Sequence, residues 1–198
     1  TGVVQAFSAL NVAGRIRRRP SRTVRALEFL KANTRLVPKV TLPAPNTVQY
    51  FLGDGKSINR SVYPDMNSLW TDLVAAYRQE LLALVAAGAR YIQYDDTTFA
   101  FLCDPMHRDH VRSWGEDPDR LIRTYASKIN ETLSVLPPDV TVTFHQCRGN
   151  REGLWAAQGG YDPVAEILFN AVNVHGYFLE YDSARAGGFE PLRFLPKG

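Results

Sequence analysis

Residues 140–150 read V-T-V-T-F-H-Q-C-R-G-N. The first half alternates β-branched and aromatic side chains behind the turn signal Pro137-Pro138-Asp139, a pattern that predicts a strand. Side chains two apart on a strand point the same way, so the imidazole of His145 and the thiol of Cys147 can converge at its end. Arg148-Gly149-Asn150 then breaks the strand into a loop. A nitrogen and a sulfur donor beside a glycine turn suit a zinc ion. Taken alone the pair is half a site, and the ordinary reading is a hydrogen-bonded core histidine beside a small buried cysteine. The surrounding chain has to decide.

Before this strand, Asn67 or Ser68 caps a long helix to Ala87, with Leu69, Leu73, Tyr77, Leu81, Leu84 and Val85 at helical spacing and Gly88 as its stop. Arg90-Tyr-Ile-Gln-Tyr-Asp-Asp is a strand ending in Asp95 and Asp96. Residues 97–118 read as a long loop, or a loop with one short helix, carrying Cys103, His107, His110 and Trp114. Residues 119–136 return to helix. After the quoted stretch, Asp162-Pro163 opens a helix over 164–172, and 176–182 form the last clear strand, ending in Glu180-x-Asp182. Nearer the start, residues 1–19 read as an extended or hairpin segment, and Ser21 caps a helix through Ala32. A short strand beginning at Lys39 is stopped by Pro43 and Pro45, and a polar loop covers 46–65. Within that loop Gly53-Asp-Gly-Lys-Ser lacks the spacing of a phosphate loop.

Strands alternating with helices predict a parallel sheet with right-handed crossovers. Three consecutive strands finish in Asp95-Asp96, His145-x-Cys147 and Glu180-x-Asp182. Polar side chains at successive strand ends mark the mouth of a (β/α)8 barrel. An open doubly wound sheet usually shows a glycine-rich phosphate turn at an early strand, and none is visible. A complete barrel takes about 250 residues, and only four or five strands can be counted. The expected fold is therefore α/β: a TIM barrel of which residues 1–198 cover the middle strands, as a single domain.

Composition sets the outer limits. Of 198 residues, 45% are hydrophobic and 22% charged, as in an ordinary globular domain. A net charge of +3 is too mild to argue for nucleic acid. The basic run R-I-R-R-R-P-S-R at 15–22 reads as a solvated turn. No apolar run reaches the length of a membrane span, and the N-terminus lacks the sections of a signal peptide. Two cysteines make no disulfide framework. A cytoplasmic, reduced setting is expected, with no membrane and no nucleic-acid partner.

The motifs Tyr91-Ile-Gln-Tyr-Asp-Asp-Thr-Thr, His145-Gln-Cys-Arg-Gly-Asn, Gly159-Gly-Tyr-Asp and Phe178-Leu-Glu-Tyr-Asp occur in this order. Together they give a chain that resembles the catalytic barrel of cobalamin-independent methionine synthase, and more closely its shorter single-domain relatives. The resemblance covers nearly the whole chain. It implies a zinc-dependent methyltransferase moving a methyl group from 5-methyltetrahydrofolate to the thiol of homocysteine. His145 and Cys147 match two zinc ligands of that family, and Glu180 matches its carboxylate ligand. Asp95 matches the acidic residue that holds the amino group of homocysteine. Asp96, a second substrate-binding candidate, stands where many relatives have glutamate. The family's last zinc ligand, a cysteine, falls beyond Gly198, and its first strands precede Thr1. The resemblance thus implies that these 198 residues hold an incomplete site, with weak or no zinc and no methyl transfer of their own.

The chemistry fits these roles. A thiol with a pKa of about 8.5 is mostly protonated at neutral pH, and zinc strips its proton. A carboxylate at the neighbouring strand end pins an ammonium group. Positioning of the donor supplies much of the rest. Three alternatives stand beside this reading. One is another zinc–thiolate alkyl transfer, like that of the epoxyalkane–coenzyme M transferases. A second is an inactive barrel fragment. The third is a hydrolase using Asp95 or Asp96 with Glu180, which leaves His-x-Cys unexplained. Trp70, Trp114 and Trp155 could each stack on a pterin, although a tryptophan is more often packing. Cys103 with His107 and His110 reads as a structural or lid element.

Overall fold

The computed structural model describes residues 10–151, 153–181 and 183–197. Strands β1 (Lys39–Pro43), β2 (Tyr91–Asp96) and β3 (Thr141–Gln146) are followed by a hairpin of β4 (Asn150–Arg151) and β5 (Leu154–Trp155), then by β6 (Gly176–Leu179). The main sheet has the order β1-β2-β3-β6 and every pairing is parallel. Each strand lies beside its predecessor in the chain, with no reversal of direction across the sheet. The expected parallel α/β sheet is present. The described residues make four strands of it, with β1 and β6 as edges, and not a closed barrel.

Seven helices surround the sheet among the described residues: α1 (Arg22–Asn33), α2 (Pro45–Leu52), α3 (Met66–Ala86), α4 (Thr98–Phe101), α5 (Pro105–Ser113), α6 (Pro118–Leu133) and α7 (Asp162–Ala171). α6 touches α3 and α7, so the crossover helices share one layer. Period-two alternation sends Val40, Leu42, Ile92, Tyr94, Val142 and Phe144 into a core with Leu69, Leu73, Leu81, Leu84, Leu121, Ile122, Ile129 and Leu168. The opposite sheet face carries Lys39, Thr41, Gln93, Asp95, Thr141, His145 and Phe178, all partly or fully exposed. One face of the sheet is therefore dry and the other open.

Local chemistry explains where the elements depart from expectation. The segment read as a polar loop from 46 begins instead with α2, started by proline in its first turn and stopped by Gly53. α3 is capped by Asp65, whose Oδ1 accepts from Ser68 N at 2.7 Å. Residues 97–118 hold two helices, α4 and α5; Asp104 caps α5 and Asp117 caps α6, each with proline in the first turn. The hairpin β4–β5 was not anticipated: it is only two residues a side.

Ser21 caps α1 as expected. Residues 1–9 of the extended N-terminal segment lie outside the described residues. The remainder straps α3, with Val12 bridged to Ile58. Arg15 makes a two-pronged pair with Asp72 at 2.8 and 2.9 Å, and Arg18 reaches Glu80 at 2.8 Å. Part of the basic run is thus spent on acidic residues of a helix. No helix among the described residues is long and apolar enough to cross a membrane.

Candidate functional site

The site sits at the C-terminal ends of β2, β3 and β6 on the open face of the sheet. Asp95 and His145 are register partners on adjacent strands, and their Oδ1 and Nε2 lie 3.6 Å apart. This is ion-pair distance if the imidazole is protonated, and too long for a strong hydrogen bond. Half of the Asp95 side chain and a third of the His145 side chain remain exposed. Beyond β3 the ladder continues by one bond, Cys147 N donating to Asp96 O at 3.0 Å. The alternation therefore carries Cys147 to the same face as His145. Burial pushes the Cys147 thiol up; the Gly149 N–H pulls it down, the carboxylates of Glu180 and Asp95 push it up, and Arg185 opposes them. The carboxylates of Asp95 and Glu180 thus both lie close enough to act on the Cys147 thiol.

Glu180 follows β6 directly. Its Oε2 accepts the backbone N–H of Arg148 at 3.0 Å, and its Oε1 accepts Arg185 Nη2 at 2.6 Å. Both oxygens are engaged. Asp182, the other acidic residue expected at this strand end, lies outside the described residues.

Asp95 and Asp96 point to opposite faces. Asp96 is buried beneath the strand ends, 1% exposed, where its carboxylate collects donors from three segments. Asn46 Nδ2 and Thr98 Oγ1 donate to Oδ1 at 2.8 and 2.9 Å. Phe99 N and Gln146 Nε2 donate to Oδ2 at 3.0 Å each. Asp96 thereby ties β2 to the start of α2, to α4 and to β3. Burial still raises its pKa, the hydrogen bonds only partly offsetting it.

Arg148 was read from sequence only as the residue that ends the strand. It is 0% exposed, among the largest fully buried side chains. Its Nη1 donates to Tyr161 Oη and Glu180 O at 3.0 Å each, and its Nη2 to Gly159 O at 2.6 Å and Ala186 O at 3.2 Å. The guanidinium also lies 4.3 Å from the centroid of the Tyr161 ring. Its neighbour Gly149 has φ +74°, and a Cβ there would meet Ala156 Cβ at 2.8 Å, so the loop needs glycine. Gly159, at φ +109°, presses equally close to the carbonyl of Cys103. Arg185, also missed, bridges Glu180, the carbonyl of Ala157 at 3.0 Å and the ring face of Trp155 at 5.1 Å. No regular spacing announces either arginine: the acceptors of Arg148 lie 11 to 38 residues away, and Arg185 joins Glu180, five residues before it, to the carbonyl of Ala157.

The secondary candidates have structural partners. Cys103 is buried with its thiol on Phe99 O, and burial pushes its pKa up to about 12. His107 bridges Tyr50 Oη at 2.6 Å and Ala156 O at 2.9 Å, stacked on Phe101. His110 packs edge-on to Trp114. His175 Nδ1 accepts from Val142 N at 3.0 Å. Trp70 is buried against Tyr125 and Trp114 packs on Tyr50, which leaves Trp155 as the exposed tryptophan beside the site.

His145, Cys147 and Glu180 have the donor types that suit zinc. As arranged, however, no three His, Cys, Asp or Glu side chains among the described residues are grouped to hold a metal ion. The third donor, Glu180, is turned to Arg148 and Arg185.

No family model matches the chain. Two uncharacterized Bacillus subtilis proteins, YxjH and YxjG, are 40% identical over 160 residues and 39% identical over 161. Each alignment takes in 81% of this chain, against 41% and 42% of the relatives. A Listeria monocytogenes crystal structure, provisionally described as a vitamin-B12-independent methionine synthase, superposes with a TM-score of 0.68 at 34% identity. That match covers 85% of this chain and 47% of the Listeria chain. The chain spans less than half the length of the proteins it matches, and over that part it shares the fold of the Listeria protein.

Proposed function

We propose that these residues form a sector of a (β/α)8 barrel whose strand-end cluster serves S-methylation of a thiol, homocysteine first, from a methyl-folate donor, in the cytoplasm. The observation that carries the reading is Asp95 beside His145 on the open strand ends, with Cys147 on the same face and Glu180 bonded to the N–H of the residue after it. Similarity to the Listeria protein supports it. His145, Cys147 and Glu180 would hold zinc, with Glu180 first released from Arg185. Zinc supplies the lowered thiol pKa that makes a nucleophilic thiolate near neutral pH. Asp95, half exposed and not committed to a strong partner, is placed to take the ammonium group of an amino thiol. Arg148 fixes the loop that follows Cys147, and so holds the thiol side of the site in place.

The test uses the polypeptide at its natural length with homocysteine and labelled 5-methyltetrahydrofolate. Label should reach the thiol, Cys147→Ser should abolish the transfer, and Asp95→Asn should mainly raise KM for the amino thiol. Normal turnover by the Cys147→Ser protein would end this reading. Preference for coenzyme M, which has no ammonium group, over homocysteine would move it to the other zinc–thiolate class.

A further inference from the structure

We infer that Arg185 is a latch on Glu180, holding this carboxylate away from the metal site until a metal ion competes it free. The inference rests on the zinc reading above. Glu180 is held at two points of different kinds. Its Oε2 is anchored on the backbone N–H of Arg148, the residue directly after Cys147, at 3.0 Å. That anchor is compatible with metal binding, since a ligating carboxylate keeps one oxygen hydrogen-bonded for orientation. Its Oε1, the oxygen not engaged by that anchor, carries the 2.6 Å pair with Arg185 Nη2.

The pair is four-fifths buried on both sides, with side-chain exposures of 21% and 20%. It is therefore more persistent than a surface ion pair. Arg185 has other contacts to keep when Glu180 leaves: the Ala157 carbonyl at 3.0 Å and the Trp155 ring. Releasing Glu180 strands no buried guanidinium without a partner. The arrangement accounts for an N, S and O donor set that lies together yet is not grouped around a metal position.

A site whose competent arrangement is a minority binds with its affinity reduced by that fraction, and a substitution removing the competing arrangement restores it. Arg185→Met keeps the apolar stem and removes the charge. Zn2+ affinity, measured by competition with a chromophoric chelator, should tighten about tenfold in this variant. Co2+ should show thiolate charge-transfer absorption in both proteins and none after Cys147→Ser. A folded Arg185→Met protein that binds Zn2+ no more tightly than the unsubstituted protein overturns the latch alone. All of these measurements use the polypeptide at its natural length; metal binding that survives Cys147→Ser unchanged, or no binding by any form of it, overturns the zinc reading and the latch with it.

Should the variant fail to fold, the unsubstituted protein decides. Saturation with Zn2+ should shift the emission assigned to Trp155 by difference from Trp155→Phe, because Arg185 then loses its carboxylate partner. Emission unmoved at full Zn2+ occupancy overturns the latch.

Discussion

Lys39 opens the first strand of the sheet and Phe178 lies on the last, yet the ammonium of Lys39 is 4.4 Å from the centroid of the Phe178 ring. The same ammonium reaches Tyr91 at 5.2 Å and donates to Gln93 Oε1 at 2.9 Å. Strands lie about 4.8 Å apart, so three gaps in a flat sheet would separate the edges by about 14 Å. The Lys39 stem and the Phe178 ring must therefore lean toward each other across the open face to meet.

The contact is testable by a double-mutant cycle. Lys39→Met and Phe178→Leu should be coupled by about 0.5–1 kcal/mol in urea unfolding. Strict additivity would mean that the edges do not meet in solution.

Arg148 should be among the least replaceable residues. Arg148→Met leaves the carbonyls of Gly159, Glu180 and Ala186 and the Tyr161 hydroxyl without their donor, at a cost of about 3 kcal/mol or more. Arg148→Lys should also lose about 2 kcal/mol, because a point charge cannot reproduce the planar fork. Denaturant midpoints measure both, and a loss below about 1 kcal/mol for the Met variant would contradict the assignment.

Asp96 makes stability depend on pH with a definite sign. Its folded pKa is raised above the ordinary 3.8 by burial. Such a group adds stability that is fully present below its unfolded pKa and is lost as pH rises toward the folded value. Between about pH 4 and neutrality, Asp96→Asn should therefore gain on the unsubstituted protein as pH rises. Urea midpoints across that window check it; movement in the other direction would show that the donors outweigh burial.

The two thiols should separate cleanly by reactivity. Cys147 is partly exposed, whereas Cys103 is 5% exposed with its pKa pushed up to about 12. Iodoacetamide should modify one thiol in the folded protein and the second only on unfolding. Two equivalents labelled at equal rates in the native state would contradict the burial of Cys103.

The parallel sheet and the positions of His145, Cys147 and Asp95 were legible because strand alternation is a local property. Pro137-Pro138-Asp139 and Gly88 marked the boundaries that set its phase. The same alternation separates Asp95 from Asp96, although the two read together as one substrate-binding pair. What the sequence hid was long-range. The burial of Arg148 depends on carbonyls at 159, 180 and 186, and the placing of Arg185 depends on the Ala157 carbonyl and on Trp155 of a hairpin too short to leave a periodic pattern. α2 was hidden differently: Pro45-Asn46-Thr47 carries turn-forming residues, and only the helix they start reveals its first turn.

The buried guanidinium of Arg148 also dictates an order of events. Its acceptors lie on a glycine turn, on the end of β6 and in the short helical turn Ala184–Ala186. Until that late-sequence segment docks, the arginine has no dry place to go, and Cys147 beside it is tethered on one side only. Local opening of residues 176–195 should therefore dismantle the cluster even while β1, β2 and β3 stay paired. Amide exchange at Arg148, whose N–H is held by Glu180, should follow the rate of this C-terminal segment, and not that of Cys147, whose N–H is held by Asp96 on the neighbouring strand.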